Sequence, residues 1–240
     1  MNRGPNLGVF IGGPMSTAIF VDAGFFLKRF RHCFPAKDKN DPVLVARTLH
    51  GTALNHLTQG RDAERRDLYR IFVYDCPPLA KKAHFPISKR AVDFSKSDTA
   101  LFRNAFHAEL RRLRKVALRL GRLQDGMGWR LKPNVLTGVL RGERGFDALT
   151  DAEFEYDVRQ KGMDMKIGLD IASVAYKKQV NQIVLVAGDA DFVPAAKLAR
   201  REGIDFILDP MWSQISSDLH EHIDGLRSTT VRPAADIDGQ

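Results

Sequence analysis

Four apolar stretches of this sequence end at an aspartate, and no other feature constrains the fold as strongly. They are AIFVD to Asp22, RIFVYD to Asp75, IVLVAGD to Asp189 and IDFILD to Asp209. Each has the length and apolar character of a short buried strand. Open α/β sheets place their ligand sites at the carboxyl ends of such strands. We therefore expect the carboxylates to gather at one sheet edge, where like charges repel unless a cation or proton joins them.

The composition predicts one principal domain in a reducing compartment. With 240 residues, 44% of them hydrophobic, the chain can bury one core and carry an insertion. Its cysteines, Cys33 and Cys76, lie in no CxxC motif and cannot form a disulfide framework. No apolar run is long enough to span a bilayer, and the N-terminal stretch does not have the pattern of a signal peptide. We expect a cytoplasmic protein without a membrane partner.

Strand and helix patterns alternate on both sides of a central interruption. This alternation predicts an α/β fold, a Rossmann-like parallel sheet flanked by helices on both faces, with a helix and strand insertion. The expected organisation is a flexible leader over 1–15, a domain over 16–227 with a basic insertion at 80–160, and a disordered tail over 228–240. The predicted elements are strands at 17–21, 68–74, 183–188 and 204–208 and helices at 25–34, 42–58, 163–178, 189–203 and 213–228.

The insertion is predicted to contain a long amphipathic helix from Ser97 to Leu120, followed by an irregular strand or hairpin over 129–140 and another extended piece over 154–163. One helix face is apolar. The other carries basic residues, and the net charge of +8 favours a polyanionic partner. We expect this basic stripe to guide a nucleic acid, although such a charge run is usually only a solvated helix face. The stripe consists of Arg112, Lys115, Arg119 and Arg122.

Two segments in the second half of the chain carry further acids. In GDADF, Asp189 ends a strand and Asp191 is placed to cap the next helix. In KGMDMKIGLD, Asp164 is either a helix cap or a site acid, and Asp170 is either a site acid or a solvated one. Asp75, at the end of the second strand, is a further possible site acid.

This set of acids suits a hard divalent cation. Mg²⁺ or Mn²⁺ takes oxygen ligands and keeps several waters, and such an ion supports phosphodiester hydrolysis. Asp22, Asp164 and Asp189 can supply the ligands, with Asp191 or Asp170 close by. Zinc is a poor alternative, because His220 and His222 fall on different helix faces. The sequence also lacks a phosphate-binding glycine loop and a GxSxG motif.

Several of these motifs resemble those of a known family. VDAGFF, YDCPP, KGMDMKIGLD, VLVAGDADFVPAAKLARREG and HIDGL together are similar to the NYN domain family, in particular its LabA-like branch, which resembles PIN-domain nucleases. The resemblance covers roughly residues 16 to 227. It implies a PIN-like sheet and a metal-dependent endoribonuclease site with Asp22, Asp164, Asp189 and Asp191.

The chain departs from this pattern at one position. Many family members carry an asparagine where this sequence has Phe25, whose ring either packs against the helix or stacks on a base. The departure keeps open a catalytically inactive RNA-binding or regulatory protein. A small-molecule phosphohydrolase is a third alternative, but Gly24 stands where a phosphatase would carry its second aspartate. A homo-oligomer also remains possible.

Overall fold

The computed structural model describes residues 16–58 and 65–233, so the predicted leader at 1–15 and the tail from 234 onward lie outside the described residues. The strands are β1 (Ser16–Asp22), β2 (Asp67–Asp75), β3 (Lys82–His84), β4 (Ala91–Asp93), β5 (Val116–Leu120), β6 (Arg122–Leu131), β7 (Phe154–Lys161), β8 (Gln182–Val186), β9 (Asp205–Asp209) and β10 (Gly225–Leu226). The helices are α1 (Ala23–Cys33), α2 (Pro42–Asn55), α3 (Asp98–Arg112), α4 (Pro133–Leu140), α5 (Met163–Tyr176), α6 (Val193–Arg201) and α7 (Ser217–Glu221).

Six strands form one parallel sheet in the order β10-β9-β8-β1-β2-β5. The chain builds the sheet outward from β1 in both directions, so the strand order reverses between β1 and β8. Such a reversal opens a crevice at the carboxyl ends of the two strands, where α/β proteins bind their ligands. Asp22 ends β1, and Asp189 follows β8 by three residues.

Alternate residues of the central strands feed two separate cores. Ile19 and Val21 point to the face covered by α1, α2 and α3, while Ala18 and Phe20 point to the face covered by α5, α6 and α7. All four side chains are almost fully buried. The predicted α/β sheet with helices on both faces is thus confirmed.

The predicted long helix from Ser97 to Leu120 is wrong. Ser97 caps α3 as expected, but the helix ends at Arg112, and Lys115 takes a positive φ of 60°. Residues 116–120 then pair with β2 as the edge strand β5. The apolar spacing there fits a strand as well as a helix, and pairing with the open edge of β2, which is distant in sequence, decides between them.

The rest of the insertion is a ribbon of two antiparallel strands, β6 and β7, against which the β3–β4 hairpin packs. The rings of Phe85, Phe94, Trp129 and Tyr156 hold these pairs together, with centroids 5.0 to 5.8 Å apart. The predicted extended piece at 154–163 is confirmed by β7. The piece predicted at 129–140 is extended only to Leu131 and continues as α4.

The last described residues contact the rest of the chain through hydrogen bonds. Ser228 Oγ accepts a hydrogen bond from the Trp212 backbone N–H, and the Thr230 carbonyl accepts one from the Trp212 indole. Thr229 Oγ1 donates to the carbonyl of Thr52 in α2.

None of the helices in residues 16–58 and 65–233 has both the length and the apolar character needed to cross a bilayer.

Candidate functional site

Asp22 stands at the junction between β1 and α1. The strand runs into the helix without a loop, and the Asp22 carboxylate caps α1 by accepting a hydrogen bond from the Phe25 N–H at 3.1 Å. Burial raises the pKa of Asp22, and the negative charges of Asp164 and Asp75 raise it further. The capping bonds to the backbone oppose this rise only in part. The carboxylate is therefore held in a place that favours an added cation or proton.

Asp164 lies near Asp22 in the fold, although the two residues are far apart in the sequence. It is the second residue of α5, and the left-handed Gly162, with a φ of 74°, turns β7 directly into this helix. Partial burial raises the pKa of Asp164, and the charges of Asp189 and Asp191 add to the effect. The N-cap position itself belongs to Gly162, so Asp164 does not serve as the helix cap that the sequence allowed.

Asp189 and Asp191 lie in the turn that follows β8. Asp189 accepts a hydrogen bond from the Asp191 backbone N–H at 3.1 Å and so caps the short 3₁₀ turn ahead of α6. The sequence left Asp191 open as the cap of the next helix or as a site acid, and in the structure α6 has no side-chain cap from Asp191. Because the cap is made by Asp189, the Asp191 carboxylate is left exposed, and its negative charge adds to the rise in the pKa of Asp164.

These four acids meet at the strand-order reversal. The negative charge of Asp164 raises the pKa of Asp22, and the charges of Asp189 and Asp191 raise the pKa of Asp164. Within the described part of the chain, no lysine, arginine or histidine forms an ion pair with any of them. Carboxylates are the ligands that hard cations prefer, so the donor set fits Mg²⁺ or Mn²⁺.

The four acids lie near one another but do not form a closed ligand shell. Among the described residues, Asp218, Glu221 and His222 are the one set of three whose ligand atoms all lie within 4.8 Å of one another. The oxygens of Asp22, Asp164 and Asp189 are therefore more widely spaced. This spacing suits Mg²⁺, which keeps several waters and is usually bound by only one or two carboxylates together with the phosphates of its substrate.

Asp75 lies beside Asp22, but its two oxygens are already engaged. The side chain is fully buried, and it accepts hydrogen bonds from His107 Nε2 at 2.7 Å, from the Arg103 guanidinium and from the Cys76 N–H. Burial alone would raise the pKa of Asp75, but the His107 hydrogen bond and the charge of Arg103 outweigh it and lower the pKa. Asp75 is thus committed to a structural network.

Asp170 and Asp209 are likewise engaged away from the four acids. Asp170 accepts a hydrogen bond from the Tyr74 hydroxyl at 2.7 Å, on the side of α5 that faces the sheet. Asp209 is buried and accepts hydrogen bonds from His56 Nε2 at 2.9 Å and from the Met211 N–H at 2.7 Å. Of the four aspartates that end apolar stretches, only Asp22 and Asp189 join the site.

The basic residues that the sequence placed on one helix stripe do not share a helix. Arg112 is paired with Glu109 at 3.7 Å, and Arg119 with Asp170 at 3.3 Å, where its guanidinium also covers the Phe72 ring. The stripe is therefore wrong as a geometric unit, because the helix ends too early. Arg112 ends α3, Lys115 lies in the next turn, Arg119 is in β5 and Arg122 begins β6.

Of two further neighbours of the site, the sequence pattern singled out Phe25 but not Gln160. A Cβ added to Gly24 would lie 4.0 Å from the Gln160 side-chain oxygen and 3.2 Å from an Asp22 carboxylate oxygen, so both groups lie beside Gly24. The ring of Phe25 lies over Gly188, close enough that a Cβ there would be 2.6 Å from the ring. Gln160 comes just before KGMD, but only the pairing of β7 with β6 brings it to this edge.

The contact between Phe25 and Gly188 predicts that Gly188→Ala destabilises the protein. The added methyl group must displace the ring or the turn that carries Asp189, which should lower the free energy of unfolding by about 1–3 kcal/mol. Gly168→Ala is the control, since it lies inside α5 with nothing within 4 Å and should stabilise by about 0.5–1 kcal/mol. Chemical denaturation measures both. If Phe25→Ala does not reduce the cost of Gly188→Ala, the clash is not its cause.

The family model for the NYN domain matches residues 131–224 of this chain. The matched stretch runs from the end of β6 to just beyond α7 and contains Asp164, Asp189 and Asp191. Asp22 precedes it and joins these residues through the fold. No curated protein matches the chain.

Proposed function

We propose that this protein is a metal-dependent endoribonuclease. The observation that carries the proposal is the meeting of four acids at the strand-order reversal without a compensating cation among the described residues. The match to the NYN domain, a nuclease-type family, supports hydrolysis of a nucleic acid. The positive net charge of +8 supports a polyanionic substrate.

The four acids would have different roles in the reaction. Asp22, Asp164 and Asp189 would hold Mg²⁺ or Mn²⁺, and the exposed Asp191 would orient a water molecule for attack. When bound, such an ion lowers the pKa of a water molecule and neutralises charge that develops on the phosphodiester. Because Asp22 caps α1 and Asp189 caps its own turn, both carboxylates are fixed in position before substrate arrives.

A second candidate is a catalytically silent RNA-binding module. It is favoured by Phe25, whose ring occupies the space over Gly188 between the two strand ends. A polar side chain there could contact substrate or a bound water, whereas the phenyl ring offers neither a donor nor an acceptor. In this alternative the same fold and the same positive charge serve binding alone.

The deciding experiment compares labelled RNA and DNA of the same sequence, each incubated with the protein in Mg²⁺, in Mn²⁺ and in EDTA. The expected result is cleavage of RNA in either metal and none in EDTA. Cleavage that persists in EDTA would contradict the metal requirement. Binding of RNA without cleavage in either metal would support the silent module instead.

A further inference from the structure

The base of the ribbon formed by β6 and β7 adjoins the four acids. Arg122 opens β6 and lies opposite Lys161, the last residue of β7. Only Gly162 separates Lys161 from α5, which carries Asp164 in its first turn. The strand ends of the ribbon are therefore connected directly to an element of the site.

The two faces of the ribbon base differ in their surroundings. Side chains alternate between the faces of a strand pair. On one face, Leu123 packs against the core below the sheet, and its cross-strand partner Gln160 lies beside Gly24. The opposite face must then point to solvent, and its residues are all exposed. These residues, called here the outer ribbon base, are Arg122, Gln124, Arg159 and Lys161.

The positive charge of the outer ribbon base is largely uncompensated. Arg122 and Lys161 form no ion pair with any of the described residues. Arg159 approaches Asp157 only at 3.7 Å and is 69% exposed. Surface pairs of this kind contribute little and leave the cation available.

Further out along the ribbon, the charges balance. Arg130 pairs with Glu155 at 2.9 Å and lies 3.5 Å from Asp157. The free cations are therefore concentrated at the end of the ribbon that adjoins the acids, rather than spread along its length.

We propose that the outer ribbon base, on the face of the ribbon turned away from Gln160 and Asp22, binds the phosphate backbone of an RNA strand where the strand leaves the four acids. This inference rests on the proposed function for the identity of the nucleic acid. A cluster of carboxylates repels a phosphodiester, so a neighbouring surface of opposite charge has to hold the strand in place. Phosphate contacts from arginine and lysine position a strand without reading its sequence. The binding is accordingly expected to be tolerant of sequence and sensitive to salt.

The test removes three charges and measures binding without cleavage. Arg122→Gln, Arg159→Gln and Lys161→Gln are combined in an Asp189→Asn background, and a fluorescein-labelled single-stranded oligoribonucleotide of mixed sequence is titrated in EDTA. Affinity should fall roughly 10- to 100-fold at about 0.1 M salt, and the slope of log affinity against log salt should become shallower by about 2. An affinity and a slope that match the Asp189→Asn parent would overturn the proposal.

A matched control removes the same amount of charge elsewhere. Lys177 directly follows α5, and Lys197 and Arg201 lie in α6; all three are exposed. Lys177 lies about 20 Å along the helix from Asp164. Changing these three residues to Gln should leave the affinity within about twofold. An equal loss in this control would show a general charge effect and overturn the proposal.

The outcome is separable from that of the proposed function. Binding is measured without metal and with a variant in which Asp189 is already replaced, so it does not depend on catalysis. A wild-type protein that fails to cleave, but loses RNA affinity when the outer ribbon base is neutralised, would support this inference while contradicting the nuclease. If the wild type cleaves RNA but the triple variant keeps its RNA affinity, the nuclease is supported and the binding role of the outer ribbon base is contradicted.

Discussion

Replacing Asp189 by Asn is expected to slow RNA cleavage by at least roughly 10²–10³-fold. A metal ion held by these acids would supply several kcal/mol of charge stabilisation to the transition state, and each 1.36 kcal/mol is tenfold in rate. Asn keeps the shape of Asp and can still accept the hydrogen bond from the Asp191 N–H, so the turn should be retained. The loss of cleavage rate is then caused by the missing negative charge of Asp189. Single-turnover rates at saturating protein measure it.

The same variant should lose its thermal response to metal. When Mg²⁺ is 100-fold above its Kd, binding stabilises the wild type by about 2.7 kcal/mol, which raises Tm by roughly 5–10 °C for a chain of this size. Asp189→Asn should show little of this rise. Its Tm without metal should not be lower than that of the wild type, because one of the charges that repel Asp164 has been removed.

Asp218→Asn is the matched control. Asp218 is also an exposed aspartate, and it belongs to the set with Glu221 and His222 whose ligand atoms lie within 4.8 Å of one another. If the four acids bind the catalytic ion, Asp218→Asn should cleave RNA at the wild-type rate. The assignment of the metal ligands would be wrong if Asp218→Asn lost cleavage and Asp189→Asn kept it.

Replacing Asp75 by Asn is expected to cost about 3–5 kcal/mol of the free energy of unfolding, because it leaves the largely buried Arg103 guanidinium without its counter-charge. Asp75 is fully buried and binds both Arg103 and His107, of which His107 is itself buried. Asn can accept from one of these partners but cannot balance the guanidinium. Denaturant unfolding at neutral pH measures the loss.

The cost should depend on pH in a defined direction. His107 and Arg103 lower the pKa of Asp75 below its ordinary value of 3.8 despite its burial. A group with a lowered folded-state pKa contributes its stability above the unfolded-state pKa and loses it as pH falls through the folded-state pKa. The difference between wild type and Asp75→Asn should thus be constant near neutral pH and shrink in strong acid.

Glu143→Gln controls for the loss of a surface carboxylate. Glu143 lies 3.8 Å from Arg141, and both side chains are exposed, so the change should cost about 0–1 kcal/mol. Below its own melting temperature, Asp75→Asn should still cleave RNA, which separates a structural acid from a metal ligand. A cost no larger than that of Glu143→Gln would contradict the buried network.

The sequence could predict the parts of the site that depend on local pattern. Asp22 and Asp189 follow apolar strands, and Asp164 begins a periodic helix, so their positions follow from short stretches of chain. The partners of the other acids could not be read in this way. Asp75 is bound by His107, 32 residues away, Asp170 by Tyr74, 96 residues away, and Asp209 by His56, 153 residues away. Nothing in the local spacing of these acids separates a free carboxylate from an engaged one.

The insertion was the hardest region to predict for the same physical reason. The apolar spacing over residues 113–120 fits both a helix and a strand, and only the open edge of β2 selects the strand β5. The ribbon depends on the pairing of Arg122 with Lys161, which lie far apart in the chain. Arg122 is the one member of the outer ribbon base that the sequence pattern singled out, and only the pairing of β6 with β7 brings Gln124, Arg159 and Lys161 beside it.

The two edge strands of the parallel sheet protect the protein against aggregation with copies of itself. Unpaired strand edges are templates for aggregation, and natural proteins protect them with short strands and with charge. One edge here is β10, which is only two residues long. The other is β5, which carries the half-exposed Arg119 in its second half. A foreign strand would gain few hydrogen bonds at the first edge and would meet a cation at the second, so both borders discourage growth of the sheet between molecules.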